Sequence, residues 1–159
     1  MMNLKQSLKK QLSNIPRWLP IVLGVIALIG FADAAYLSIE HFSNVIPPCA
    51  AGSCELVLTS KYSNVFGIPV SLFGSLYYLL VLVLVVLYFD AKKEIYLRIA
   101  LFCTFAGMIS SAIFVALMVF VIHAYCQYCL LSAGTSTALF IISVFALRKY
   151  RDEVATSVK

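Results

Sequence analysis

Four cysteines in two pairs are the residues of this chain whose types and spacing could do chemistry: Cys126-Gln127-Tyr128-Cys129 and, some seventy residues upstream, Cys49 and Cys54. A C-x-x-C pair on the first turn of a helix sets both sulfurs on one side, close enough to close a small disulfide ring. The unpaired N–H groups of that turn favour a thiolate. Three chemistries fit the two pairs. C-x4-C with C-x-x-C is a zinc-ribbon count, so four thiolates could hold a structural zinc ion. Each pair could instead be a structural staple, although a C-x-x-C ring closes too short a loop to restrict an unfolded chain much. Or the pairs could form a relay, a thiolate of one attacking the disulfide of the other and passing an electron pair onward. In a soluble protein C-x-x-C would suggest a thioredoxin-like fold, but no strand–helix–strand pattern surrounds it here.

The elements that must position these cysteines follow from composition. Of 159 residues, 62% are hydrophobic and only 12% charged, where a soluble domain carries roughly 25% charged residues. The apolar residues must therefore face lipid. Four apolar runs, about 18–42, 70–89, 96–122 and 125–147, meet the length of roughly 20 residues that a helical crossing needs. The expected fold class is all-α: one integral membrane four-helix bundle over residues 1–159, with an outer redox loop at 43–69. Small residues give packing seams at Ser71 to Ser75, Ala106 to Ala116 and Ser132 to Ser136. The tail from Leu79 to Leu87 reads as plain lipid-facing material. Met1 to Pro16, basic with Leu4, Leu8 and Leu12 at helical spacing, reads as an interfacial helix on an anionic leaflet, retained rather than cleaved.

Within the outer loop, Pro47-Pro48 bars helix before Cys49 and Gly52 allows a tight turn. Ser53 suits an N-cap for a short interfacial helix from Cys54 to about Ser60. Phe66-Gly67-Ile68-Pro69 leads the chain back into the bilayer, with Pro69 in the first turn of the next helix.

Charge orients the bundle. Lys5, Lys9, Lys10 and Arg17 precede the first run, Lys92, Lys93 and Arg98 surround the middle break, and Arg148, Lys149, Arg151 and Lys159 follow the last. Only Lys61, of 12 basic residues, lies elsewhere. The positive-inside rule then sets both termini in the cytosol and the 43–69 loop on the periplasmic or extracellular side. All four paired cysteines fall on that oxidising side. The net charge of +5 is scattered rather than gathered in one patch, which argues against nucleic acid as a partner. Cys103 reads as a small buried hydrophobe. Asp33, in the outer half of the first span, must face the bundle interior because a carboxylate in lipid is costly. His41 and His123 stand at span ends, where histidines commonly make structural hydrogen bonds, and Ser60 with Lys61 lies over the bundle mouth.

Together these residues resemble the vitamin K epoxide reductase family in its prokaryotic, quinone-linked branch. The likeness runs from Asp33-Ala34-Ala35-Tyr36-Leu37 through Cys49, Cys54 and Ser60, then Phe66-Gly67-Ile68-Pro69-Val70-Ser71, Phe73-Gly74 and Cys126-Gln127-Tyr128-Cys129. The order matters, because the unrelated four-helix disulfide generators of bacteria carry C-x-x-C in the first outer loop. The resemblance implies a membrane quinone oxidoreductase that generates disulfides. A separate thioredoxin-fold protein would be the donor, and a quinone of the ubiquinone or menaquinone type, drawn from the membrane pool, the acceptor. Cys129 would lie nearest the quinone, Cys126 would be its disulfide partner and the atom attacked by Cys54, and Cys49 would exchange with the external protein. Ser60, Phe66, Phe73 and Ala133 would line the quinone pocket. The resemblance implies no metal. Vertebrate members place Asn and Tyr at the positions held here by Val70 and Ala133, a departure that touches epoxide head-group recognition and leaves the thiol relay intact; a vitamin K quinone or epoxide reductase proper is the runner-up reading. The contrasting class is a non-catalytic membrane protein with structural disulfides or a zinc site.

The charge bias makes a direct prediction. A membrane-impermeant thiol reagent added outside intact cells should label Cys49 and Cys54 of the reduced protein. Labelling only after the inner face is opened would reverse the orientation.

Overall fold

The computed structural model describes residues 18–43, 45–49, 52–65, 67–91 and 93–157. The interfacial helix expected over Met1 to Pro16 and the pocket residue Phe66 lie outside them. Four helices are long and apolar enough to cross a membrane: α1 (Trp18–Phe42), α3 (Val70–Ala91), α4 (Glu94–Leu117) and α5 (Gln127–Ser157). The chain is an all-α membrane bundle. Between α1 and α3 lie a five-residue helix, α2 (Cys54–Leu58), a 3-10 turn (Lys61–Ser63) and a two-stranded hairpin, β1 (Asn64–Val65) with β2 (Ile68–Pro69). Principal helix contacts run α1 to α3, α3 to α4, α4 to α5 and α5 back to α1. That ring brings the 43–69 loop and the α4–α5 turn to one end.

Several boundaries differ from expectation for local reasons. The loop helix stops at Leu58 rather than Ser60, because Ser60 is extended and turns both its N–H and its hydroxyl onto the Val57 carbonyl, at 3.3 and 2.8 Å. Pro69 sits in β2 opposite Asn64 rather than in the first turn of α3. A two-residue strand tolerates proline because it needs few ladder hydrogen bonds, and Gly67 at φ +80° makes the reversal. Helix α4 runs into a π turn over Met118–Ile122, where His123 adopts the left-handed conformation (φ 53°) and ends it. Histidine is among the residues enriched there. The N–H groups of His123 and Ala124 both return to the Met118 carbonyl.

The Leu79–Leu87 tail is not uniformly lipid-facing. Val81, Leu84 and Val85 are buried in the bundle, while Leu79, Leu80, Val83 and Val86 are exposed. Every position there is apolar, so composition carries no sign of which stripe faces inward. The helical spacing of Tyr78, Val81 and Val85 supplies it. These pack with Leu23, Ala27, Leu97 and Leu139 in the main core.

Association in lipid relies on close packing and polar contacts, because hydrocarbon solvates apolar surface as well as another helix does. Gly30 of α1 lies against the Tyr78 ring and Gly107 of α4 against the Tyr77 ring, so neither has room for a Cβ. Tyr78 crosses the bundle and anchors α5: its Oη is 2.7 Å from the Ser132 carbonyl, 2.7 Å from Thr135 Oγ1 and 2.8 Å from Ser136 Oγ. A methyl at Gly30 meets a ring that these bonds hold in place. Gly30→Ala should therefore cost about 1–3 kcal/mol, measured as a lower unfolding midpoint in detergent. Gly134→Ala, where nothing lies within 4 Å of the new methyl, should leave the midpoint unchanged or raise it.

Candidate active site

The loop reaches the bundle mouth through its main chain. Gly52 forms a single antiparallel bridge with Cys126, and the Ser53 N–H donates to the Tyr125 carbonyl at 2.8 Å. Gly52 has φ +97°, and a Cβ there would run into the Tyr125 carbonyl, so this position requires glycine. Tyr128 adds a side-chain tie, its Oη donating to the Pro48 carbonyl at 3.0 Å while its ring lies 5.8 Å from that of Tyr36. Residues 125 and 126, expected inside the fourth span, are drawn into this bridge, so α5 begins at Gln127. Cys126 becomes its cap: its carbonyl accepts the Leu130 N–H at 3.0 Å.

The two cysteine pairs meet there. Cys54 and Cys126, 1% and 0% exposed, pack with Val57, Met118 and Ala124 in one cluster, against which Cys49 and Cys129 also pack. Cys49 and Cys54 form a disulfide with Cα atoms 6.0 Å apart. Cys126 and Cys129 are thiols. Met118, which nothing in the sequence singled out, accepts the Cys126 N–H on its sulfur at 3.4 Å. Its placement depends on the π turn, and π turns leave no composition signal.

Beside Cys129 opens a cavity of about 580 Å³, within the range of small-molecule sites. Cys129, Ser60, Phe73 and Ala133 all line it, as do Val70, Asp33 and Tyr77. Phe73 is half-exposed. The Ser60 hydroxyl donates to the Val57 carbonyl at 2.8 Å, so its one O–H is already committed. His41 is on the wall; His123 and Lys61 are not. Asp33 faces inward at 8% exposure. An apolar cavity with a thiol and a few polar groups in its wall fits a quinone ring.

A sequence profile of the vitamin K epoxide reductase family matches residues 21–144. The chain belongs to that family. No curated protein matches it. Family membership makes it a membrane oxidoreductase of the thiol and quinone type.

Cys126, just ahead of the span, has its thiol drawn below the ordinary value. The largest cause is its hydrogen bond with the Cys129 thiol. The Cys129 and Tyr128 N–H groups at the start of α5 add to it, while burial and the Asp33 charge push the other way. The Cys126 thiolate therefore persists to lower pH than that of an ordinary cysteine and is lost as the pH falls further. In a Cys103→Ala protein with the Cys49–Cys54 disulfide intact, thiolate absorbance should show a step below the ordinary thiol range. Cys129→Ala removes the dominant stabilisation, so the step should move up toward the ordinary thiol range. An unmoved step would assign the shift to the helix end alone.

Proposed function

We propose that this protein generates disulfides on the non-cytosolic side of the membrane and delivers the electrons to a quinone, as in the family's prokaryotic branch. The observation that carries the reading is the four-cysteine cluster: one pair disulfide-bonded, the other as thiols, with Cys129 on the cavity wall. A reduced thioredoxin-fold donor attacks at Cys49, opens Cys49–Cys54 and leaves oxidised, with two thiols in the loop. The Cys54 thiolate then attacks Cys126 of an oxidised Cys126–Cys129 pair and expels Cys129 as thiolate. Cys49 resolves the resulting Cys54–Cys126 bond, which restores the loop disulfide and leaves Cys126 and Cys129 reduced. Oxidation of Cys126 and Cys129 by the quinone resets the cycle.

Membrane position supports the same direction. The basic residues flank the opposite end of the bundle, so the cluster faces the compartment where a protein donor is to be oxidised. The cavity wall carries Val70 and Ala133 where vertebrate relatives carry Asn and Tyr. Opening an epoxide develops negative charge on oxygen that apolar walls do not stabilise, and a quinone is the better-matched substrate.

Three variants test the relay with purified protein, a reduced thioredoxin-fold donor and a soluble quinone. Cys129→Ala should abolish quinone reduction. Cys54→Ala should keep the Cys126/Cys129 exchange with quinone but lose turnover with the protein donor. Cys49→Ala should still turn over with a small dithiol that reaches Cys54. Normal donor-driven turnover in Cys54→Ala would refute the relay.

A further inference from the structure

We infer that Asp33 carries a proton in the thiol-to-quinone step, its carboxylate taking a proton from the cysteine pair and passing it to a quinone that would occupy the cavity Asp33 shares with Cys129. The inference rests on the function proposed above and adds a residue to it.

Asp33 lies within a membrane span, where an ionisable side chain is expensive and marks a functional site unless partnered. Its Oδ2 is fully enclosed and has no hydrogen-bond partner. Nearby polar side chains are satisfied: Ser38 donates to the Ala34 carbonyl at 2.8 Å and pairs with Ser71, and Ser75 donates to the Leu72 carbonyl at 2.8 Å. An enclosed, unpaired carboxylate oxygen costs stability without holding helices together. What distinguishes its position is the cavity it shares with Cys129.

The chemistry needs a carrier there. Joining two thiols in one S–S bond releases two electrons and two protons, and a quinone takes up both to become the hydroquinone. The Ser60 and Tyr78 hydroxyls are committed to protein partners. The Tyr77 hydroxyl is enclosed and unpartnered, but a phenol is a far weaker acid than a carboxylic acid. Besides Asp33, the ionisable groups on the wall are Glu40, His41, Tyr62, Tyr77, Tyr78 and Cys129. Glu40 and His41 stand two turns further along α1, about 10 Å toward the mouth. One proton passes from the Cys129 thiol through Asp33 to one quinone oxygen, and Asp33 returns to carboxylate. The Cys126 proton leaves to solvent, and the second quinone oxygen is protonated from the mouth.

The test uses full-length protein in detergent with Cys126 and Cys129 reduced, mixed with a soluble quinone in single turnover. Wild type should reduce the quinone; Asp33→Asn should be slower by about 10²-fold, the usual worth of one general acid–base group. Quinone affinity and dithiol exchange at Cys49–Cys54 should stay unchanged. Asp33→Glu should recover most of the rate. Infrared difference spectra should show a transient carboxylic-acid band in wild type that Asp33→Asn lacks. A wild-type rate in Asp33→Asn, or no such band in wild type, overturns the role of Asp33 and leaves the proposed function standing. Loss of quinone affinity and exchange together, without recovery in Asp33→Glu, assigns Asp33 to the fold and also overturns it. A wild-type protein that does not reduce quinone refutes the proposed function and this inference with it.

Discussion

The site depends on main-chain pairing between a loop and a helix start that lie far apart in sequence. Gly52 bridges Cys126 and Ser53 donates to Tyr125. Without those contacts Cys54 would sit on a surface loop and Cys126 at a bare helix end. With them, both sulfurs are withdrawn from solvent into a shared apolar cluster. Thiol–disulfide exchange needs the attacking and attacked sulfurs in reach, and burial restricts that reach to the partners the fold supplies. The bridge also displaces the start of α5 by two residues, which makes Cys126 the cap and turns the first N–H groups of the helix toward its sulfur.

Polar groups inside the bundle divide by what they do. Tyr78 is met by the Ser132 carbonyl and the Thr135 and Ser136 hydroxyls, so it ties α3 to α5 across the middle. Asp33 and Tyr77 end in atoms with no partner. Both line the cavity beside Cys129, so among the described residues the unmet hydrogen-bonding capacity of buried side chains lies on its wall.

Much of this was legible in the sequence. Four apolar runs and an almost one-sided distribution of basic residues gave the bundle, and the inward-facing Asp33 followed from the cost of charge in lipid. The two cysteine pairs marked the site. What escaped were features set by tertiary contact. The hairpin at Asn64 to Pro69 has strands too short for any alternation. The buried stripe of Val81, Leu84 and Val85 is masked because every neighbour is apolar as well. The π turn that aims the Met118 sulfur at Cys126 depends on His123 entering the left-handed region, which a single histidine does not announce. Ser60 was found by position, but its donor is already occupied by Val57, a fact only the fold supplies.

The seam that joins loop to bundle is written almost wholly in backbone atoms, with glycine at position 52 its one strict side-chain requirement. Such a seam leaves the outer face of the loop, where Leu56 is 60% exposed, outside the pairing that joins loop to bundle. The loop is therefore an exchangeable cassette. Its outward residues can vary while the backbone pairing at Gly52 and Ser53, and the spacing between the sulfurs, is kept.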